Sequence, residues 1–410
     1  MHATRDPALL TVFHRADDPW SLLLLQALPR LSEIHSVAFR FVTVPLAGPD
    51  HVPRPAMLMA NGLRDAVDLA RHHPLVFPRR PVAPDAGSVA LATRMLLAQP
   101  DPRSYLDCAL ALGQALFAGD AAAVADLCKS RALPTPEEAD AMLAEAGRAQ
   151  RRLGHYHSGM ILFEGGWYWG IDRLYHLEQA LIALGHRRPT GVPGCLPLRD
   201  DPELPDVGGP ERDADGTAVL RYYCSFRSPY AYIAADRAFA LARRYRVRVD
   251  PRLIIPMKMA GFAIPAEKAG YFRFDCAREG LRHGVRFGRF TDPFGDGLRR
   301  AMAIVPHAMR TGKGEAYILS VMRGVWADGL DTARDDDLAR MCGRAGLDPA
   351  AAMRHADPSA DLGWADRHRE ELAQHQQYAA PVFVIGDYMT WGQDRLPILE
   401  RVLDHAVGRR

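Results

Sequence analysis

The feature that most constrains the fold of this chain is a short sequence motif that occurs twice. We call this motif, where a strand leads into a helix, the corner. The two segments are WGIDRLYHLE, which begins at residue 169, and WGQDRLPILE, which begins at residue 391. They share the pattern W-G-x-D-R-L followed by L-E, and each is typical of a strand that ends and leads into a helix. Two such corners, near the ends of the two halves, predict a duplicated domain.

A second pair of matching segments lies near the start of each half. Residues 10–28, LTVFHRADDPWSLLLLQAL, and residues 220–238, LRYYCSFRSPYAYIAADRA, both run from an apolar strand through a polar turn into an apolar helix. In each segment a proline followed by an aromatic residue opens the helix, where proline is best tolerated. Both halves therefore begin alike as well as end alike.

The halves are separated by residues 186–217, which are dense in Pro, Gly and Asp and show neither a helical nor a strand period. Such composition is typical of an interdomain linker. We predict a first repeat at 8–185 and a second repeat at 218–408. A chain of 410 residues is also long enough to need more than one hydrophobic core.

Both repeats show the same order of elements, namely a β-α-β unit, a long helical stretch and a β-β-α unit. In the first repeat the closing hairpin is MILFEGGWYW at 160–169, with Gly165-Gly166 predicted at the turn. This order predicts an α/β fold of two tandem thioredoxin-like domains, each with a large all-helical insertion.

Bulk composition excludes several classes of function. A net charge of +2 creates no field that would draw the chain to nucleic acid or to an anionic membrane. The apolar run SLLLLQAL at 21–28 is too short to span a bilayer. The six cysteines form no C-x-x-C pair, and the HYH segment at 155–157 lacks the companions of a metal site. We expect a cytoplasmic protein that binds no metal.

Ser228 lies between the first predicted strand of the second half and the helix that follows, and Pro229 is the next residue. The ordinary role of such a serine is to cap the helix. The same position can serve chemistry, because a helix N-terminus carries free N–H groups and partial positive charge that favour an anion or a thiolate. A thioredoxin-type dithiol would need cysteines at 228 and 231, and the chain has Ser228 and Ala231.

Two further segments of the second half complete a candidate site. Pro381 opens a strand after Ala380, and an X-Pro bond at such a position can be cis, so that the backbone of Ala380 faces an extended ligand. Gln393 and Asp394 open the last helix, where an aspartate either caps the helix or holds an ammonium group. Together these features predict a site for a small zwitterionic thiol peptide, glutathione.

The second half, residues 219–403, resembles the family of 2-hydroxychromene-2-carboxylate isomerases and kappa-class glutathione transferases. The segments that carry the resemblance are SPYAYIA (228–234), MKMAGFAIPAEKAGYF (257–272), VMRGVWADGLD (321–331), APVFVIGD (380–387) and WGQDRL (391–396). The resemblance implies that Ser228 activates the glutathione thiol. It also implies that glutathione is held by Ala380 and Pro381, by Gln393 and Asp394, and by Lys268.

The chain departs from this family at one turn, where Phe262 stands in GFAIP in place of the asparagine of G-N-x-P-P. That asparagine helps to define the substrate pocket, so the departure bears on substrate choice. The candidate substrate-binding residues are Tyr230, Phe262, Arg252 and Lys258. The last two are the candidates for a substrate carboxylate.

In the first repeat Asp18 replaces the serine and Gly159 replaces the proline. Asp18 is expected to cap its helix, and its charge would repel a thiolate. We therefore interpret the first copy as a degenerate, structural repeat. Because the family forms homodimers, the resemblance implies an internal pseudo-dimer of the two copies, with a homodimer of the whole chain also open.

Three functions remain open from the sequence. The first is a glutathione-dependent isomerase that acts on a conjugated, aromatic-derived carboxylate by reversible thiolate addition. The second is a kappa-type glutathione S-transferase acting on a small electrophilic substrate. The third is a non-enzymatic thioredoxin-like binding or scaffold protein.

Overall fold

The structure, a computed structural model, describes residues 6–192, 194–200, 202–205 and 209–407. Parts of the predicted linker and the last residue of the predicted second repeat lie outside these ranges. In the described part of the chain, none of the helices is both long and apolar enough to cross a membrane.

In its described residues the first half contains four strands and seven α-helices, with the large helical stretch between the second and third strands. Pro19, Pro55, Pro102 and Pro136 each open a helix, where a missing backbone N–H costs nothing. The elements are β1 (Ala8–His14), α1 (Pro19–Ile34), β2 (Val37–Thr43), α2 (Pro55–His72), α3 (Ala86–Leu97), α4 (Pro102–Ala118), α5 (Ala121–Cys128), α6 (Pro136–Arg152), β3 (Met160–Phe163), β4 (Gly166–Trp169) and α7 (Leu174–Ala183), and a 3-10 turn at Ile171–Arg173 precedes α7.

Among the residues that the structure describes, the second half repeats this order with an eighth α-helix. Its elements are β5 (Val219–Cys224), α8 (Pro229–Tyr245), β6 (Arg248–Leu253), α9 (Ala266–Arg282), α10 (Asp296–Arg310), α11 (Gly314–Trp326), α12 (Asp335–Arg344), α13 (Pro349–Met353), α14 (Gly363–Gln374), β7 (Val382–Ile385), β8 (Tyr388–Trp391) and α15 (Leu396–Val407), and a 3-10 turn at Gln393–Arg395 precedes α15.

Within the described ranges, each half forms a four-stranded sheet, and the two sheets have the same topology. The strand orders are β2-β1-β3-β4 and β6-β5-β7-β8. In both sheets the first strand is parallel to the second and antiparallel to the third, and the last two strands form a hairpin. The predicted fold class, two tandem thioredoxin-like domains with helical insertions, is therefore confirmed.

The hairpin of the first half differs in detail from its prediction. Gly166 is the first residue of β4, and the turn is formed by Glu164 and Gly165, whose φ angles are +47° and +74°. A two-residue hairpin with positive φ at both positions matches the right-handed twist of the strands, and this geometry moves the turn one residue earlier.

The chain divides into two compact units. Unit 1 contains the described residues up to Glu203 together with Pro265–Tyr271, and unit 2 contains Leu204–Ile264 together with the described residues from Phe272 onward. Within unit 1, the start of the predicted linker pairs with the first repeat, since Ser36 N–H donates to the His186 carbonyl at 2.7 Å and Arg188 N–H donates to the Ile34 carbonyl at 2.8 Å. The predicted repeat boundaries stay a prediction.

Candidate active site

Ser228 lies at the N-terminus of α8 and contacts the β7 loop as well as its own helix. The Ala231 N–H donates to Ser228 Oγ at 3.2 Å, and Oγ donates to the Ala380 carbonyl at 3.2 Å. The side chain is half-buried, so the hydroxyl is not sealed in the core. The serine therefore caps the helix and faces the Ala380–Pro381 segment at the same time.

Buried aromatic residues fix the position of this helix end. Tyr222 in β5 is fully buried, and its hydroxyl donates to the Ala231 carbonyl at 2.7 Å. Trp326 Nε1 donates to the Phe226 carbonyl at 2.9 Å, in the turn before Ser228. Because these anchors come from the sheet and from α11, the hydroxyl of Ser228 is held by packing on two sides of the turn.

The Ala380–Pro381 peptide bond is cis, as the sequence allowed. The Pro381 carbonyl accepts a hydrogen bond from Gly392 N–H at 2.9 Å, across the hairpin of β7 and β8. Gly392 has a φ of +104°, which only glycine adopts readily, and the 3-10 turn at Gln393–Arg395 follows it. This bond explains why the W-G-x-D corner lies beside the proline segment.

Gln393 and Asp394 belong to a polar network that the sequence did not predict. Gln393 is fully buried, and its Nε2 donates to Glu279 Oε2 at 2.6 Å and to Asp394 Oδ1 at 2.5 Å. Arg237 Nη1 donates to Gln393 Oε1 at 2.7 Å. Burial lowers the pKa of Arg237, and the carboxylates of Asp394 and Glu279 act against that shift.

A second buried carboxylate, Asp275, lies one turn before Glu279 on α9. Asp275 is 1% exposed and accepts hydrogen bonds from Tyr230 Oη at 2.7 Å and from Arg278 Nε at 2.9 Å. Tyr230, predicted to bind substrate, is thus bonded to α9. The spacing of Asp275 and Glu279, four residues apart on a helix, was the available signal for an acidic face, since such residues lie on one side.

The structure places Arg252 and Lys258 in different surroundings. Arg252 Nη2 lies 2.6 Å from Asp250 Oδ2 and its Nη1 lies 3.0 Å from Glu371 Oε2. Burial is the largest single effect on the pKa of Arg252 and lowers it, but the hydrogen bonds that Arg252 donates to Asp250 and the charges of both carboxylates together outweigh it, so the pKa is raised. Lys258 is exposed, and its Nζ lies 4.9 Å from the centre of the Phe294 ring.

Phe262 precedes α9, and Lys268 lies in the first turn of this helix. The Phe262 ring lies 5.9 Å from the ring of Tyr378, within unit 2. Lys268 belongs to the segment grouped with unit 1, where its Nζ donates to the His51 carbonyl at 3.2 Å, and burial lowers its pKa. The part of Lys268 in ligand binding stays a prediction.

Cysteine chemistry is not available at this corner. Cys224, in β5, is fully buried, and burial raises the pKa of its thiol well above the usual range. All six cysteines lie among the described residues, and none of them forms a disulfide bond. A nucleophilic sulfur at this helix end would therefore have to come from a ligand. The described residues also contain no group of three or more His, Cys, Asp or Glu side chains that could hold a metal ion.

The matching corner of the first repeat carries its own anion. Asp18 is 2% exposed, and its Oδ2 accepts hydrogen bonds from Ser21 Oγ at 2.6 Å and from Ser158 Oγ at 2.8 Å. The expectation that Asp18 caps α1 is wrong, because its side chain makes no capping bond to the backbone. The two hydroxyl donors hold the carboxylate instead. Gly159, with a φ of +67°, lies so close that an added Cβ would be 3.2 Å from Asp18 Oδ2.

Comparison with known families agrees with this architecture. Residues 219–404 match the family model of the DSBA-like thioredoxin domain, so the second half is a DsbA-like thioredoxin domain.

Individual proteins similar to the second half indicate a narrower group than the family model does. A 2-hydroxychromene-2-carboxylate isomerase of Pseudomonas putida is 25% identical over 199 residues, which cover 47% of this chain and 95% of that protein. The enzyme of the same name from Sphingobium xenophagum is 26% identical over 195 residues, covering 46% and 98%. A solved structure of a 2-hydroxychromene-2-carboxylate isomerase aligns with a TM-score of 0.39 and 22% identity, covering 46% of this chain and 95% of that one. The predicted resemblance of the second half is confirmed.

Proposed function

We propose that the second half is a glutathione-dependent isomerase that acts on a conjugated, aromatic-derived carboxylate. The observation that carries the proposal is the half-buried hydroxyl of Ser228, which lies at the N-terminus of a 17-residue helix and 3.2 Å from the Ala380 carbonyl. A hydroxyl and a helix N-terminus that converge at one point favour an anion there. The named relatives act as isomerases, and this supports the reaction type.

The residues present fit glutathione. Ser228 and the partial positive charge at the N-terminus of α8 suit its thiolate. The backbone beside the cis peptide of Ala380–Pro381 suits an extended peptide, which can add to it as a strand. The carboxylate of Asp394 suits the ammonium group of the γ-glutamyl end. A thiol, a peptide backbone and an ammonium group in one small molecule match these three features.

The chain contributes by lowering the thiol pKa and by orienting the ligand. A hydrogen bond from Ser228 Oγ and the partial positive charge of α8 stabilise a thiolate relative to a thiol. The Ser228 hydroxyl must turn from the Ala380 carbonyl toward the sulfur, and because its present bond is long, at 3.2 Å, this exchange costs little. Bound glutathione would supply a thiolate that adds reversibly to a conjugated double bond of the substrate. That bond is single in the adduct, so rotation about it would be possible before the thiolate leaves.

A transferase of the kappa type is the second candidate, and two observations favour it. Phe262 stands at the turn where the isomerase family has an asparagine, and Arg252, one candidate for the substrate carboxylate, is already engaged by Asp250 and Glu371. Lys258, which is exposed, is the other candidate. Turnover of a 2-hydroxychromene-2-carboxylate supports the isomerase. Conjugation of a halo-aromatic acceptor without that turnover supports the transferase.

The test is a calorimetric titration with glutathione of the wild type and of Ser228→Ala, together with the pH dependence of thiolate absorbance in the complex. We expect the wild type to bind and to lower the thiol pKa below its ordinary value of about 8.5. Ser228→Ala should lose most of that shift and lower turnover by about 10- to 100-fold, since one hydrogen bond to an anion is lost.

Thr135→Ala is the matched control, because Thr135 caps α6 in unit 1 through a bond of 3.2 Å from Glu138 N–H. It loses a helix cap of similar strength and leaves the site intact. A wild type that fails to bind glutathione at millimolar concentration would leave the chain a thioredoxin-like scaffold and would refute the enzyme. If the two variants changed glutathione binding and turnover equally, Ser228 would serve only as a helix cap.

A further inference from the structure

The network behind Asp394 assigns separate tasks to two neighbouring residues. We propose that Gln393 does not contact the ligand and that, held by Glu279 and Arg237, it positions Asp394 to bind the ligand's ammonium group. This inference rests on the proposed function, because it concerns the γ-glutamyl end of bound glutathione.

The hydrogen-bond capacity of Gln393 leaves nothing to donate to a ligand. A carboxamide has two N–H hydrogens. Both have carboxylate acceptors, Glu279 Oε2 at 2.6 Å and Asp394 Oδ1 at 2.5 Å. The side chain is also fully buried. A ligand that lies in front of Asp394 would therefore meet the carboxylate of Asp394 and not the amide behind it.

The orientation of this amide is fixed by charge. Arg237 Nη1 donates to Gln393 Oε1 at 2.7 Å, and a guanidinium group has donors only. If the amide were flipped, its N–H groups would face Arg237 and its oxygen would face Glu279 and Asp394. Each of the three contacts would then become repulsive, so a single orientation is stable. The Asp394 carboxylate is thereby held by a donor that cannot turn away.

Glu279 supplies the charge on which this arrangement depends. Its carboxylate is fully buried, and besides Gln393 it has His283 Nε2 at 3.5 Å and Arg282 Nη1 at 3.8 Å. Neutralising Glu279 removes a buried negative charge close to Arg237 and Arg282. Gln393 then loses its charged acceptor, and the amide that orients the Asp394 carboxylate toward the ligand's ammonium group is no longer fixed.

The test compares two ligands by calorimetry on the full chain. One ligand is glutathione, and the other is its deamino analogue, in which hydrogen replaces the α-amino group of the γ-glutamyl residue. The variants are Gln393→Met, which removes the bridge at nearly constant volume, Glu279→Gln, which removes the charge, and the double variant. Glu315→Gln is the control, since Glu315 forms an exposed ion pair with Arg243 in the same unit.

We expect each single variant to weaken glutathione binding by about 10-fold and binding of the analogue by less than about 2-fold. The difference of at least about 5-fold corresponds to about 1 kcal/mol carried by the amino group. The double variant should lose no more than either single variant, because Glu279 acts through Gln393. The control should change neither affinity. If one single variant fails to fold, the other still gives the comparison between ligands.

The inference is overturned if Gln393→Met weakens both ligands equally, because that would indicate a direct contact or a collapsed site. It is also overturned if glutathione affinity is unchanged in both single variants. Each of these outcomes leaves glutathione binding by the wild type, and so the proposed function, standing. A wild type that binds neither ligand would refute the proposed function and this inference with it.

Discussion

We predict that His14 makes the stability of unit 1 depend on pH. It is the last residue of β1, it is 3% exposed, and its Nδ1 lies 3.0 Å from the hydroxyl of Tyr105, which in turn lies 2.7 Å from Thr43 Oγ1. Burial lowers the pKa of His14 from 6.5 to about 4, with the charge of Asp18 opposing the shift and that of Arg15 adding to it. The folded protein therefore holds this imidazole neutral.

The sign and size of the effect follow from proton linkage. Between the two pKa values the unfolded chain binds the proton and the folded chain does not, so stability is lost as pH falls from 6.5 toward about 4 and is complete above 6.5. The loss is about 2 kcal/mol at about pH 5 and reaches about 3 kcal/mol once pH is below both values.

The perturbation is His14→Gln, which keeps a hydrogen-bond partner for Tyr105 and cannot be protonated. Hydrogen exchange of the amides of Ala8–His14, measured at about pH 7.5 and about pH 5, reports the opening free energy of unit 1. The wild type should lose about 2 kcal/mol more than the variant between these conditions. His157, whose pKa burial also lowers, contributes equally to both proteins. Replacement of the exposed His405 by Gln is the control.

The reasoning is refuted if the wild type and His14→Gln lose stability in parallel as the pH falls. Parallel loss would mean that His14 is protonated in the folded protein or that the acid-sensitive group lies elsewhere. If instead the variant is less stable than the wild type by the same amount at both pH values, the imidazole acts only by packing.

The remaining predictions concern both units. Gly159→Ala should destabilise unit 1 by about 2–3 kcal/mol in chemical denaturation, and Gly165→Ala by only about 1–2 kcal/mol, because both have positive φ but only Gly159 would also crowd Asp18. Ser228→Asp should remove glutathione binding in calorimetry while α8 stays folded by circular dichroism, since it places a negative charge where the thiolate would lie. Arg252→Met should lower the unfolding free energy by about 1 kcal/mol, less at high salt. A raised KM for a carboxylate substrate at unchanged stability would instead support a substrate role for Arg252.

The fold could be predicted because its signals are local. Each signal spans about ten residues: the strand-to-helix corners, the prolines that open helices and the tight hairpins. Their repetition in the second half predicted the tandem architecture. The misplaced hairpin turn is an error of the same local kind. It arose because Gly165 and Gly166 both satisfy the composition of a turn while only the register decides between them.

The polar contacts of the site could not be predicted in the same way, because they join distant parts of the chain. Glu279 and Gln393 are 114 residues apart, and Asp18 and Ser158 are 140 residues apart. An aspartate at a helix start is expected to cap the helix. Nothing near Asp18 in the sequence reveals that a serine from another loop will donate a hydrogen bond to its carboxylate. Arg252 was similarly chosen by position, and the carboxylate of Glu371 lies 119 residues further on.

The carboxylate of Asp18 has a consequence for how a duplicated chain responds to its ligand. A group tethered by its own backbone is present at its site at an effective concentration that a freely diffusing thiol in the cell does not reach. If the second half binds glutathione as proposed, mass action would fill the corner at Ser228 and would not fill the one at Asp18. One chain should titrate with a single equivalent of tripeptide and show no cooperativity, although its architecture displays the corner twice.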